Sequence, residues 1–349
     1  MDNQMDQSSP QGSGAAATGP VPTNVVGLSP VFTDPLWRIS VCLNPVEVDL
    51  LRTEPLRRLH FIAHGGASTL STLQSYSRLE HTLGVFALVA HFRPEDELLR
   101  VAALLHDIGH LPFSHTLEGI SGLDHHAIGL RLLRTDPIHP ALEKHGISAE
   151  AVIAALGEQP PSPLTNRSGL LNLDHLDSYV RSGRSAGRLD VEPAVLLGRL
   201  DIEEAAVSAD RETAAALVDL VCAEARLHTS WDNVGPVSAV RRLACQLLDH
   251  TTLDPDRLAR MTDPQLWSAF DSCAATRAES AVIRYELHRL RVTAGRAPAD
   301  SSGWDFSLRK IYSSAPLVEG QRIEVSAPEL AAELDALRSL PTEFRVRWS

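Results

Sequence analysis

The sequence predicts a mainly α-helical protein with a small α+β appendage at its C-terminal end, and two observations carry that expectation. Through residues 29–300 apolar residues recur at three- and four-residue spacing, the period of a helix face packed on a core. Only beyond about residue 304 do short runs of β-branched and aromatic residues alternate with turn signals in the manner of strands.

The elements follow in order. Residues 1–28 are rich in Ser, Gly, Pro, Gln and Ala without apolar periodicity and read as a disordered leader. A short strand-like run, Trp37 to Leu43, leads to helical segments carrying Val46, Leu50, Leu51 and Leu59 and interrupted by Pro55. After a Gly-Gly-Ala-Ser loop at 65–68, residues 77–92 place Leu79, Leu83, Phe86, Val89 and Ala90 on one helical face. The nearly apolar helix 98–106 reads as central, Asp107-Ile-Gly-His breaks it, and the chain restarts after Pro112. Further helices are expected near 126–134, 148–157, 169–182, 193–200, 210–228 and 236–249. In the appendage (301–349), LRKIYSS and RIEVSA flank a Glu-Gly-Gln turn as an expected hairpin, followed by helix 328–339 and a terminal EFRVRW strand.

Composition narrows the function. The 349 residues are 44% hydrophobic, enough for a sizeable core, and 32 basic against 44 acidic residues leave a net charge of −12. Such a chain has no global basic field to draw it onto nucleic acid or an anionic membrane, so an anionic ligand must be met by a local positive site. Lys144 and Lys310 are the only lysines, a bias that reflects base composition rather than function, so each arginine has to be argued from its position. Cys42, Cys222, Cys245 and Cys273 lie far apart with no CxxC pair, which argues against a zinc ribbon or a disulfide framework and fits a reducing cytosol. No apolar run reaches the roughly 18 residues of a membrane helix, and a soluble, cytoplasmic protein is expected.

Imidazoles and carboxylates are concentrated in one stretch: His81 on an apolar helix, the His106-Asp107 step ending another, His110 and His115 just beyond, and LDHLD at 173–177. This mixture suits a divalent first-row ion rather than calcium, which prefers oxygen ligands throughout. A lone histidine on an apolar helix is more often a satisfied core residue than a ligand. An apolar helix ending in His-Asp, however, would be costly to bury unless those groups were paired or metallated.

The segments SRLEHTLGV (77–85), ALLHDIGHLPFSHTLE (103–118), DHH (124–126) and NLDHLDSYVRSG (172–183) resemble the HD superfamily, and within it the deoxynucleotide triphosphohydrolase-like, SAM-and-HD-domain type of phosphohydrolase. The resemblance spans residues 50 to roughly 200 and implies an HD-type helical core. It implies His81, His106, Asp107 and Asp174 as ligands of a divalent ion (Mn, Fe, Co, Ni, Zn or Mg), with Asp177, one turn on, as the alternative for the last position. By the same resemblance Arg78 is a phosphate contact, His115 lines the phosphate side of the pocket, and His110, His125 and Glu118 are candidates for catalytic proton transfer. Arg181 and Arg184, with Arg188, are spaced three and four residues apart and could grip a phosphate tail or form a solvated face.

The chain also departs from the pattern. His125-His126 stands where relatives carry His-Glu, and Ser178 and Ser182 occupy the positions of a tyrosine and an aspartate that help hold the deoxyribose. The metal centre is therefore expected intact and the sugar site altered. The resemblance implies a phosphohydrolase acting on a nucleoside triphosphate or a modified nucleotide, and a homo-oligomer whose seam cannot be read from one sequence. A phosphomonoesterase or phosphodiesterase of another small metabolite, and a non-catalytic nucleotide- or RNA-binding protein, are the competing expectations.

Overall fold

A computed structural model of the chain describes residues 24–157, 160–166, 169–296 and 302–349; most of the expected leader, residues 1–23, lies outside them. A short antiparallel pair, β1 (Val31–Thr33) and β2 (Ser40–Cys42), opens the described chain. It is followed by α1 (Pro45–Leu51) and α2 (Glu54–Arg58), with Pro55 in the first turn of α2, where its missing N–H costs nothing.

Helix α3 (Arg78–Phe92) is the central element. Ser77 caps it, accepting from the Glu80 amide while Glu80 reaches back to the Ser77 amide, a capping box worth about 1 kcal/mol. From Leu79 to Ala90 nearly every residue is buried, because α4 (Glu97–Leu105) packs on one side and the later helix Leu173–Ser185 on another. Then come α5 (His125–Leu132), α6 (Ile138–Glu143), α7 (Ala149–Leu156), α8 (Leu173–Ser185) and α9 (Pro193–Leu197).

The expected helix at 193–200 stops at Leu197, and a hairpin follows, β3 (Leu200–Glu203) against β4 (Ala206–Ala209). Its two turn residues, Glu204 and Ala205, take φ of 47° and 63°, a geometry usually announced by Asn or Gly, so the sequence hid the turn. Two long helices, α10 (Arg211–His228) and α11 (Trp231–His250), then lead to α12 (Pro255–Ala259), α13 (Asp263–Ser272) and α14 (Arg277–Tyr285).

The appendage is tied to the helices by strand pairing. Strand β8 (Glu343–Trp348) lies between β5 (Leu290–Ala294) and β6 (Trp304–Ser307), both antiparallel to it, and β7 (Leu317–Val318) runs parallel to β4. The hairpin expected from LRKIYSS and RIEVSA is corrected: residues 308–314 are irregular, and Ile323–Ser326 is a helical turn, α15, with Ile323 buried. Helix α16 (Pro328–Ala336) follows as expected. One core surrounds α3, α4, α8 and α10, and a second gathers α11, α13, α14, β5 and β8 around Leu243, Phe270 and Val346. Among the described residues no helix is long and apolar enough to cross a membrane, and the four cysteines are free.

Candidate active site

The site forms where α3, the end of α4, the turn after it and α8 meet. Gly84 is what lets α8 come so close: a Cβ there would stand 2.1 Å from Asp177 Oδ1 and 2.2 Å from Arg181 Nη2. His81, one turn before Gly84, is fully buried. Its Nδ1 lies 2.9 Å from Asp177 Oδ2, and its Nε2 lies 3.0 Å from Asp174 Oδ1 and 3.7 Å from Asp107 Oδ2.

His106, the C-cap of α4, donates from Nδ1 to the Ala103 carbonyl at 2.8 Å. A carbonyl only accepts, so the proton sits on Nδ1 and Nε2 presents a bare lone pair. That buried Nε2 has no hydrogen-bond partner, yet it lies 3.5 Å from Asp107 Oδ2 and 3.8 Å from Asp174 Oδ1. The ligand atoms of His81, His106 and Asp174 all lie within 4.8 Å of one another. Lone pairs turned toward carboxylate oxygens at low exposure repel unless a cation lies between them, so this donor set fits a divalent ion. With protons alone to compensate, burial lowers the His81 pKa, and Asp174 and Asp177 override it to bring it to about 9. For Asp107 and Asp174 burial pushes the carboxyl up; His106, His110 and Arg78 around the first and His81 and His106 around the second hold both below their usual range.

Of the two candidate aspartates on α8, Asp177 is fully committed elsewhere. Its Oδ1 accepts from Trp37 Nε1 at 2.7 Å and Arg181 Nη2 at 2.8 Å, and its Oδ2 from His81 Nδ1 and from Arg181 Nε at 3.0 Å. All its lone-pair directions are thereby used, and it orients His81 in the manner of a carboxylate behind a metal-binding imidazole. Burial raises its pKa, but Arg181 and His81 bring it to about 2. Arg181 corrects an expectation: it is buried and spends its guanidinium on Asp177 and on Asp34 at 3.2 Å rather than on a ligand. Burial works against its charge, and the two aspartates more than compensate. Arg184 is likewise not brought to the site, pairing at the surface with Glu192 at 3.1 Å.

Arg78 is 4% exposed and donates to Asp107 Oδ2 at 2.9 Å, Ser114 Oγ at 2.8 Å and the His64 carbonyl at 3.3 Å. Two of its five N–H groups stay uncommitted. Ser114 and Phe113 hold φ of 54° and 55°, a left-handed backbone that costs non-glycine residues about 1–3 kcal/mol each. Two side chains far from the motifs keep this turn in place. Arg58 donates to the His110 carbonyl at 2.7 Å and to the carbonyls of Ala259, Arg260 and Met261, while Asp263 accepts from the Phe113 amide at 2.6 Å and the Ala63 amide at 2.8 Å. Burial moves both pKa values toward the neutral form, Arg58 to about 10 and Asp263 to about 6.

Beyond Asp107 lies a histidine cluster. The rings of His110 and His125 stack at 4.2 Å, and His115 meets them edge-on at 4.7 and 5.0 Å. The nitrogens of His110, His115 and His125 also fall within 4.8 Å of one another. Gly109 admits α5 to this place: a Cβ there would stand 2.1 Å from the His125 carbonyl oxygen. Burial, with Arg78 adding to it, holds the His110 imidazole well below its usual pKa, and the crowding around His115, with His110 beside it, lowers that pKa too although the His115 side chain reaches solvent. His110 Nε2 lies 3.2 Å from Asp107 Oδ1 without the alignment of a hydrogen bond, so both its ring nitrogens lack a partner. Glu118 binds His125 through its Nδ1 at 2.8 Å and its amide at 3.3 Å, which makes the carboxylate a positioning group for His125 rather than a group facing the pocket.

Sequence reasoning missed several neighbours. His64 stacks on Tyr76 at 4.8 Å and lies 4.6 Å from His81 ring to ring, and Tyr312 meets His175 edge-on at 5.4 Å. Both lie outside the four matched segments, and no local pattern marked them.

Much of this site lies in a stretch that is similar to known proteins. Residues 78–201 match the family model of the HD domain. The chain is 27% identical over 273 residues to the metal-dependent phosphohydrolase Cns2 of Cordyceps militaris, covering 73% of this chain and 77% of that one. It is 27% identical over 167 residues to the human deoxynucleoside triphosphate triphosphohydrolase SAMHD1, a match spanning 38% of this chain and 26% of that protein. A crystal structure of a phosphohydrolase from Bacteroides thetaiotaomicron superposes with a TM-score of 0.67, covering 91% of this chain and 99% of that one at 17% identity, which shows a shared fold. The histidine and aspartate constellation thus lies within a matched HD domain, and the chain is a hydrolase similar to metal-dependent phosphohydrolases.

Proposed function

We propose that the chain cleaves a phosphate ester or anhydride bond of a nucleotide, with His81, His106, Asp107 and Asp174 holding one divalent ion. The observation that carries the ligand set is the convergence of the His81 and His106 Nε2 atoms on Asp174 Oδ1 and Asp107 Oδ2 in a buried pocket. A divalent ion bound there supplies Lewis acidity, polarising a phosphoryl oxygen and acidifying a water.

The chain's own residues do the rest. Asp177 fixes the His81 tautomer, and Arg78 holds Asp107 while turning its two remaining N–H groups to a phosphate oxygen. Neutral His110 and His115 offer hydrogen bonds to non-bridging oxygens. His125, whose Nδ1 is held by Glu118, keeps Nε2 for delivering a proton to the leaving oxygen.

The sugar side supports a modified nucleotide over an ordinary deoxynucleotide. Ser178 lies 3.2 Å from His64 Nε2, and Ser182 is taken up in an internal chain between Gln74 and Glu224, so neither serine is free to hold a deoxyribose. The test is a screen of nucleoside mono-, di- and triphosphates with Mn, Co, Ni or Mg, resolving tripolyphosphate from orthophosphate. Release of either product from a nucleotide supports the proposal; metal-loaded protein that releases neither contradicts it.

A further inference from the structure

A polyanionic substrate entering this site meets Asp107 and Asp174 in a chain whose net charge is −12, so cations beyond the metal have to face it. The motif arginines supply little: Arg181 is neutralised by Asp177 and Asp34, Arg184 by Glu192, and Arg78 by Asp107.

The irregular segment 308–316 between β6 and β7 is placed differently. It is pinned at one end by the Leu308 amide on the Thr342 carbonyl at 2.8 Å and at the other by Ala315, which bonds Gly169 at 3.0 Å and Leu171 at 2.7 Å. Between these ends it crosses the site. Arg309 Nη1 lies 3.4 Å from Glu118 Oε1, beside the histidine cluster. Further on, Tyr312 faces His175, the neighbour of Asp174, and Ser314 Oγ lies 3.0 Å from His175 Nδ1. The strap thus runs from the His125 side of the pocket to the Asp174 side.

Resting on the phosphohydrolase reading above, we propose that Arg309 and Lys310 on this strap bind the phosphate chain of the substrate. The Arg309 side chain is 63% exposed, and its long pair with Glu118 is of the weak, solvated kind that a phosphate displaces readily. The Lys310 ammonium rests 4.7 Å above the Tyr312 ring, the ring that meets His175, with no carboxylate paired to it among the described residues. An arginine fork and an adjacent point charge fit successive phosphates of a chain better than a single monoester.

The test is calorimetric binding of inorganic tripolyphosphate to the full chain loaded with Mn, comparing the parent with Arg309→Gln, Lys310→Gln and the double variant, with metal content measured in parallel. Each single variant weakens binding about tenfold and the double variant about a hundredfold, the fold-changes of losing one and two charge-assisted contacts, with metal content unchanged. A double variant that binds tripolyphosphate as tightly as the parent overturns the proposal. If such variants also keep the parent's nucleotide hydrolysis, only the strap assignment falls. A parent that neither binds tripolyphosphate nor hydrolyses any nucleotide overturns the nucleotide reading, and the strap assignment with it.

Discussion

At the scale of single residues, the site separates groups that face the pocket from groups that hold them there. Asp174 and Asp177 are one helical turn apart and both touch His81, yet Asp174 is turned toward His106 as well, while Asp177 is saturated by Trp37, His81 and Arg181. Asp174→Ala should therefore abolish metal binding while unfolding at nearly the parent's denaturant midpoint. Asp177→Ala leaves a buried Arg181 short of its main partner and should cost about 3–5 kcal/mol of stability in the same titration. Equal destabilisation by both would undo the distinction. Arg181 shows why position in a motif underdetermines role: an arginine four residues after an aspartate can grip a ligand or close an internal pair, and burial, which decides between them, is not written in the spacing.

At the scale of elements, the turn after α4 is a joint between two glycine-dependent contacts and two remote clamps. Gly109→Ala would press on the α5 backbone at His125 and Gly129, so the histidine cluster should move while the ligands of α3 and α8 stay. Metal content near the parent's with kcat down at least tenfold is the expected result; an unchanged kcat would contradict the placement of His125. Arg58→Ala, which strands four carbonyl groups around this turn, should lower stability by about 3 kcal/mol in chemical denaturation. A pH effect belongs to the α3–α8 contact. The His81 pKa is raised to about 9 in metal-free protein, so its contribution to stability is full below about 6.5 and is lost as pH rises through 9. Metal-free protein should thus melt at progressively lower temperature from pH 6.5 to 9, and bound metal, replacing the proton, should flatten the trend in a thermal scan. The motif-bearing helices were legible because their apolar period and their caps agree. The β3–β4 hairpin was not, since its turn uses Glu204 and Ala205 where glycine or asparagine would have marked it.

At the scale of the whole molecule, the C-terminal residues complete the second core and reach the side chains beside the site. Strand β8 is the middle strand of its sheet and buries Phe344 and Val346, so truncation after Pro341 should strip two strand pairings and abolish cooperative unfolding of the second core, seen as a broadened melt. What the sequence showed of the site were the candidate ligands and the histidines crowded into four short segments. What it hid came from sequence distance: Asp263 supports Phe113 across 150 residues, and Arg309 reaches Glu118 from near the other end of the chain. The proposed function requires one divalent ion, held by His81, His106, Asp107 and Asp174, for phosphate cleavage. It is tested most directly by titrating metal-stripped protein with Mn while following phosphate release from a nucleotide. Activity that climbs to a plateau at one equivalent, and is absent in Asp107→Ala at every metal concentration, is the predicted result. Full activity in the metal-free protein would contradict it.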